Sequence, residues 1–494
     1  IGPDFYEGQQ TSFLDEEEMY RVNVFDWESE FKEIMQDGGF DAVIGNPPYV
    51  RIQAMKEWAP LEVEFYKKRY VAASKGNYDI YVIFVERALN LLGSKGQLGY
   101  IMPNKFFATD YGKELRKIIS ERNALSCLVD FGHEQVFAKA TTYTCLLFLS
   151  GSPLASFEYT QVAPSPKILT AKLGFEMHPS DLLSEKPWLF MSSSETNLFT
   201  KLKQSSIPLL ELPAAIGRGS SSGNDKIFML QRTSLPNTYL TWDGEEIEIE
   251  DNILRIPLFA TDFTRYHFTP KSEKVIIFPY CKHTNNFQLL SEAEFKTIYP
   301  QAFQYLYSHK KELEQRKQYK AWYGFSAPRN LSVHDTAQMI VPLLAHKGLL
   351  ADLPGNREDY CLMASGGFSI TINNRRLLPR YVLGILNSRL LFWYLKFISN
   401  RFRGGWITCT KQYVGKLPIR TINFSDHADK TRHDRMVELV DQMLDLNKQL
   451  AEAKTPQTKT VLQRQIETTD RQIDRLVYEL YELTEDEIRI AGGK

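Results

Sequence analysis

Phe40-Asp41-Ala42-Val43-Ile44-Gly45-Asn46-Pro47-Pro48-Tyr49 is the stretch around which this chain is organised. Phe40 to Ile44 is apolar apart from Asp41 and reads as a short buried strand. It runs without a polar spacer into a Gly-Asn-Pro-Pro turn that closes on an aromatic. The turn therefore sits at the carboxyl end of a strand, where open α/β sheets place ligands. Proline has no N–H and a locked φ, so two in succession leave carbonyls of fixed direction and no donor. The Asn46 side-chain oxygen and the Pro47 carbonyl could both accept from one exocyclic NH₂, with the Tyr49 ring under the plane of a base. Two in-plane acceptors draw an aryl amine's lone pair out of conjugation and make it a nucleophile without a general base. The competing reading is a Pro-Pro surface turn.

At 494 residues the chain exceeds one ordinary domain, so two or three are expected. No apolar run reaches the roughly 18 residues of a membrane span, and Ile1-Gly2-Pro3-Asp4 does not begin a secretory leader. Cys127, Cys145, Cys281, Cys361 and Cys409 are odd in number and scattered. Neither a disulfide framework nor a metal site is expected from them, and a cytoplasmic location is the simple reading.

Upstream of the loop, Tyr20 to Phe25 alternates as a strand ending at Asp26-Trp27, Glu28 to Gln36 suits a short helix, and Gly38-Gly39 makes a turn. Downstream, Gly76-Asn77-Tyr78-Asp79 opens a helix with Ile80, Phe84, Ala88 and Leu91 at period 3.6. Gln97 to Pro103 is a strand stopped by proline. Leu128 to Gly132 is another, and Val136 to Leu149 reads as a loop feeding a last apolar strand. Strand, loop, helix, strand is the order of a doubly wound sheet.

Together these segments resemble the amino-methyltransferases that use S-adenosyl-L-methionine, in the adenine-N6 form Asn-Pro-Pro-Tyr. The resemblance implies catalysis by Asn46, Pro47, Pro48 and Tyr49, with Tyr49 and Phe137 sandwiching the target base. A core ring is the alternative for Phe137. It also implies that Asp26 and Trp27 meet the cofactor adenine, with a helix N-cap the alternative for Asp26. Asn104, Lys105 and Phe106 are expected to build the sheet and not to catalyse. Nothing before Asn46 resembles the Gly-rich turn that holds the cofactor's methionine part. The chain is therefore expected to be the carboxyl-terminal part of a longer, monomeric polypeptide. A nuclease, if there is one, would lie upstream, since no Pro-Asp…Asp/Glu-x-Lys site is visible.

From Gly151 to about Gln204 the pattern is irregular and proline-rich, which suggests a domain boundary. Ile216-Gly217-Arg218-Gly219-Ser220-Ser221-Ser222-Gly223-Asn224-Asp225 lacks the Lys-Ser/Thr ending of a P-loop. In the resembling family such a segment opens the DNA-specificity domain, with backbone contact to DNA. Between Arg375 and Arg420 there are ten Lys/Arg and no Asp or Glu, interleaved with Tyr381, Phe392, Trp393, Tyr394, Phe397, Phe402, Trp406 and Tyr413. That is the footprint of a nucleic-acid contact. The alternative is a solvated face whose acids come from elsewhere. This run resembles the end of TaqI-type specificity domains. Arg218, Arg329, Arg389, Arg401, Arg403 and Lys411 are the candidate contacts to double-stranded DNA. Two amphipathic stripes, Met436 to Leu450 and Leu462 to Leu483, broken at Thr455-Pro456, suggest a helical hairpin docked on the body.

The fold class expected is α/β: a partial Rossmann-like methyltransferase sheet, then an α+β DNA-specificity domain and a C-terminal helical hairpin. The expected boundaries are 1–155, a connector over 156–204, then 205–428 and 429–494. The function expected is site-specific adenine-N6 methylation of DNA in a type IIG restriction-modification system. Three other readings stay open: a recognition module inactive by itself, a methyltransferase acting on RNA or on protein glutamine, and a restriction nuclease.

Overall fold

The computed structural model describes residues 25–132, 134–137, 142–164, 173–268, 273–284, 286–346, 350–353, 359–374, 376–402 and 406–492. Most of the expected strand before Asp26 lies outside them, as does Arg403. Two compact units divide the chain, Ile1–Phe190 and Met191–Lys494.

Among the described residues the first unit opens with helices α1 (Trp27–Glu30) and α2 (Lys32–Gln36). Gly38 and Gly39 follow at φ +98° and +115°, which only glycine adopts without strain. A Cβ on Gly39 would also lie 2.6 Å from the Leu91 carbonyl oxygen. The chain then enters strand β1 (Phe40–Gly45). After the Asn46–Tyr49 loop come α3 (Ile52–Trp58), α4 (Pro60–Arg69) and α5 (Tyr81–Leu91). Strand β2 (Leu92–Pro103), helix α6 (Lys113–Glu121) and strands β3 (Leu125–Asp130), β4 (Thr144–Ser150), β5 (Ser156–Gln161) and β6 (Glu176–Pro179) complete the unit.

The sheet order is β1-β2-β4-β3-β5-β6. β1 pairs parallel with β2, Val43 opposite Leu98 and Ile44 opposite Gly99. β4 is antiparallel to both β2 and β3, and β3 is parallel to β5. Hence β1, β2, β3 and β5 run the same way, and the loops after them lie along one edge of the sheet.

Three expectations need correction. β4 is not the last strand, since β5 and β6 extend the sheet. β1 is not buried: Ile44 is 88% exposed, because β1 is the outermost strand and no described strand pairs with its other side. Nor is the α5 stripe uniformly core, since Phe84 is 43% exposed while Tyr81, Val82, Val85 and Leu89 are buried.

The second unit opens with α7 (Ser193–Gln204), whose Ser192 and Glu195 form a reciprocal capping box. Strand β7 (Ala214–Arg218) is the outer member of a four-stranded sheet and pairs antiparallel with β8 (Phe368–Ile372). A short helix α8 (Leu331–Asp335) lies between β7 and β8 in the chain, and helices α9 (Pro379–Leu386) and α10 (Arg389–Ile398) follow β8. Next are strands β9 (Arg401–Phe402) and β10 (Trp406–Thr408), then the long helices α11 (His427–Glu452) and α12 (Pro456–Leu480). Met436, Leu439, Val440 and Met443 of α11 share one core with Ile473, Val477 and Leu480 of α12 and with Tyr381, Leu383 and Leu390. The stripes read from the sequence are therefore packing surface. Helices α9 and α11 approach so closely that a Cβ on Gly384 would meet Met436 Sδ at 2.5 Å and Val440 Cγ2 at 2.9 Å.

Candidate active site and nucleic-acid interface

The Asn46–Tyr49 loop leaves β1 with its chemistry outward. Asn46 is exposed, with no hydrogen bond to another described residue. Pro47 is buried, Pro48 exposed and Tyr49 half-buried. The Tyr49 hydroxyl donates to the Ile101 carbonyl oxygen on β2 at 3.1 Å, which fixes the ring. Burial pushes its pKa up to about 12, so it remains a donor at any working pH.

The neighbouring loops along the same edge are held by side chains. The Asn104 amide donates to Asp130 Oδ1 at 2.9 Å and to the Gly132 carbonyl at 3.0 Å. Asp130 Oδ1 also accepts from the Gly132 N–H at 2.9 Å. This knot links the end of β2 to the end of β3, a structural use of Asn104. Phe106 is fully buried. Arg116 donates to the Phe106 and Thr109 carbonyls, and burial lowers its pKa to about 10. Phe137, beyond the knot, is 37% exposed.

On the free side of β1 lies a cleft of about 370 Å³ walled by Trp27, Phe40, Ile44, Phe84, Arg87 and Tyr100. Trp27 is stacked on Phe31 at 5.7 Å and meets Phe40 edge-on at 5.8 Å. Asp26 is the N-cap of α1, one carboxylate oxygen accepting from the Glu28 and Ser29 N–H groups at 3.1 and 3.3 Å.

In the second unit the candidate DNA contacts separate into two groups. Arg389 is ion-paired with Asp474 at 3.1 Å, and its N–H also donates to that carboxylate at 2.9 Å. Arg380 is held by Asp352 and Asp441, and Arg420 by Asp429 at 3.4 Å. The acid-free run is thus acid-free only along the chain. Helices α11 and α12 and the segment at Asp352 supply its carboxylates. Tyr381, Trp393 and Tyr394 are buried. These findings correct the reading of the run as one continuous DNA-facing surface. The side chain of Arg401 lies outside what is described. Lys411 is exposed at the start of a four-residue helix, Lys411–Val414.

Arg218 and Arg329 form the other group. Both are exposed, and the fold joins their main chains. The Arg218 carbonyl accepts from Asn330 Nδ2 at 3.1 Å and from His334 Nε2 at 3.2 Å. Ser220 Oγ accepts from the Arg329 N–H at 3.0 Å. The Gly/Ser loop itself is woven inward: the N–H groups of Gly219, Ser220 and Ser221 donate to the carbonyls of Gly367, Leu362 and Ala327. Those three donors are not available for a phosphate. Ser220, Asn330 and His334 escaped the sequence reading. Asn330 and the carbonyl it binds are 112 residues apart, and no local pattern announces such a junction.

Residues 4–137 match the family described as Eco57I restriction-modification methylase, and residues 293–419 match the TaqI-like C-terminal specificity domain. The chain is similar to type II restriction-modification methyltransferases. The type II restriction enzyme and methyltransferase RM.Eco57I of Escherichia coli is 28% identical over 95% of this chain and 48% of its own length. The type II methyltransferase M.PaeR7I of Pseudomonas aeruginosa is 26% identical over 92% of this chain and 73% of its own length. The chain thus spans about half the length of the E. coli relative. The solved structure of the type IIL restriction-modification enzyme MmeI in complex with DNA shares the fold, with a TM-score of 0.59 and 11% identity over 94% of this chain and 57% of that one. The methylase match takes in the Asn46–Tyr49 loop and ends at Phe137. The specificity match takes in Arg329, Arg389 and Lys411 but begins after Arg218.

Proposed function

We propose that the chain is the catalytic-loop and target-recognition part of a site-specific DNA adenine-N6 methyltransferase of the type IIG kind. S-adenosyl-L-methionine would be the methyl donor and double-stranded DNA the partner. The observation that carries this reading is Asn46. It is exposed at the carboxyl end of a strand, and the two residues after it have no N–H. An exocyclic amine brought to that loop can meet the Asn46 side-chain oxygen and the Pro47 carbonyl, and neither proline adds a competing donor. Asn46 Oδ1 and the Pro47 carbonyl would each hold one of the amine's hydrogens and favour a tetrahedral nitrogen, whose lone pair leaves conjugation with the ring. Tyr49, fixed by its bond to Ile101, and Phe137 would take the two faces of a base flipped from the duplex, a step that costs a few kcal/mol. Catalysis would come from positioning more than from proton transfer.

Part of the cofactor fits the residues present. The cleft beside β1 has the flat apolar walls that suit a purine. Trp27 is the residue that would hold the ring, while Asp26 has one oxygen engaged in capping α1. When bound, the cofactor supplies an electrophilic methyl on sulfur. Among the described residues before Asn46 there is no Gly-rich strand-to-helix turn of the kind that would hold its methionine end. The open side of β1 supports a second reading, in which a further portion of the same monomeric polypeptide completes the sheet and any nuclease lies in it. The present chain would then recognise DNA without transferring methyl groups by itself.

Calorimetry with S-adenosyl-L-methionine separates the two. Binding by this chain supports a competent enzyme, and no binding supports the recognition module. Loss of methyl transfer to adenine in Asn46→Ala, with duplex binding retained, is the result expected of the catalytic assignment. Wild-type turnover in that variant would refute it.

A further inference from the structure

Most arginines described in the second unit are engaged inside it. Arg316 donates to the carbonyls of Ser222, Gly324 and Trp322, Arg265 pairs with Asp470 at 2.6 Å, and Arg380, Arg389 and Arg420 are held by aspartates. Arg218 and Arg329 differ. Both are exposed, and neither has an acidic partner among the described residues. Their main chains are nevertheless tied down.

His334 is central to that junction. Its Nε2 lies 3.2 Å from the Arg218 carbonyl and its Nδ1 lies 2.6 Å from Ser369 Oγ. A carbonyl only accepts, so Nε2 carries the proton and Nδ1 accepts from the serine hydroxyl. The neutral ring thereby joins the end of β7, helix α8 and strand β8. Burial pushes His334 down to about 4, which keeps the ring neutral at physiological pH. Asn330 reinforces the same carbonyl at 3.1 Å. Ser220 Oγ closes the other side, accepting from the Arg329 N–H at 3.0 Å and lying 3.2 Å from the Arg329 carbonyl.

Two free guanidinium groups on backbones fixed in advance are what a phosphate contact needs. The cations keep their rotamer freedom, but the main chain loses nothing more on binding. We propose that His334 is a positioning residue for DNA-backbone binding, which with Asn330 and Ser220 sets Arg218 and Arg329 as two contacts to neighbouring phosphates. This rests on the DNA reading above and names the residues through which the duplex is gripped.

The test is binding of a mixed-sequence duplex across a salt series, well below the unfolding temperature. Arg218→Ala and Arg329→Ala should each flatten the slope of log affinity against log salt by about 1, and the double variant by about 2. Each single variant should lose roughly fivefold in affinity at low salt. His334→Ala removes no charge, yet should weaken binding about as much as either arginine variant. His334→Gln, whose amide can donate to Arg218 and accept from Ser369, should restore most of it.

Unchanged slopes in the arginine variants would overturn the proposal. So would a His334→Ala protein that melts earlier but binds DNA like wild type, since that marks a merely structural residue. The arginine variants leave the core untouched and decide their half however His334→Ala folds. A wild-type chain that binds no duplex at any salt would instead overturn the DNA reading itself, and this proposal with it.

Discussion

The Asn46–Tyr49 loop and the basic run from Arg375 to Arg420 both stand out in the sequence, but three arginines of the run are tied to carboxylates within the fold while the loop keeps Asn46 exposed. The loop's donors and acceptors belong to four consecutive residues, so their relation survives folding. In the run, Arg380 meets Asp352 and Asp441, 28 and 61 residues away, and Arg389 meets Asp474, 85 residues away. Lack of acids along a segment is therefore no measure of free charge in space.

The most direct way to break this comparison is at the loop. Asn46→Ala should reduce methyl transfer by about 100-fold or more, the order seen when one preorganised hydrogen-bonding group is lost from an active site. Duplex affinity should change little. Tyr49→Phe keeps the ring but loses the bond to Ile101, and should cost less than Tyr49→Ala. Equal losses would mean that the hydroxyl, and not the face of the ring, carries the role. Turnover with labelled methyl donor and gel-shift affinity check both.

The run is probed by setting Arg389 against Arg329. Arg389→Ala leaves the buried Asp474 carboxylate without its cation. About 1–3 kcal/mol of stability should go, less than for a fully buried pair because the arginine is 57% exposed. Its salt slope for DNA should stay near wild type. Arg329→Ala should do the reverse, lowering the slope and leaving the thermal midpoint in place. Denaturant unfolding beside a salt series reads both. A normal midpoint and a flattened slope for Arg389→Ala would return that residue to the interface.

How much of this was legible follows the same division. The order β1, loop, α5, β2, the proline stop at Pro103 and the break at Thr455-Pro456 were all readable, since periodicity and turn residues act over a few positions. The exposure of Ile44 and Phe84 was not, because strand position within a sheet is decided by partners distant in sequence. β5 and β6 were hidden by the irregular, proline-rich pattern around them. The Asn104 knot and the His334 junction were invisible for a similar reason. Each joins polar side chains to atoms that come near only after the sheets are built.

A packing variant tests the hairpin half of that reading. Gly384 sits where α9 meets α11, and a methyl there must displace Val440 or Met436. Gly384→Ala gains helix propensity but should still lower stability by about 1–2 kcal/mol through overpacking. A rise in the midpoint would mean that the two helices separate at low cost and that the C-terminal pair adds little to this core.

The smallest effect concerns pH, where the buried Asp474 and the half-buried His334 oppose each other. Burial raises Asp474 from 3.8 to about 6, with Asp470 adding to the shift and Arg265 and Arg389 opposing it. The folded state therefore binds more protons than the unfolded state between those values, and this term loses stability as pH rises through about 6. Burial lowers His334 from 6.5 to about 4. Here the folded state binds fewer protons, so this term is intact above 6.5 and is lost as pH falls towards 4. Each slope is at most about 1.4 kcal/mol per pH unit, and between pH 4 and 6 their signs are opposite. Unfolding midpoints measured over that range should separate them. Relative to wild type, Asp474→Asn should gain stability as pH rises, and His334→Gln should lose it. Parallel curves for the two variants would show that neither group titrates differently in the folded and unfolded chain, and that His334 is not held neutral by the contacts that bind Arg218.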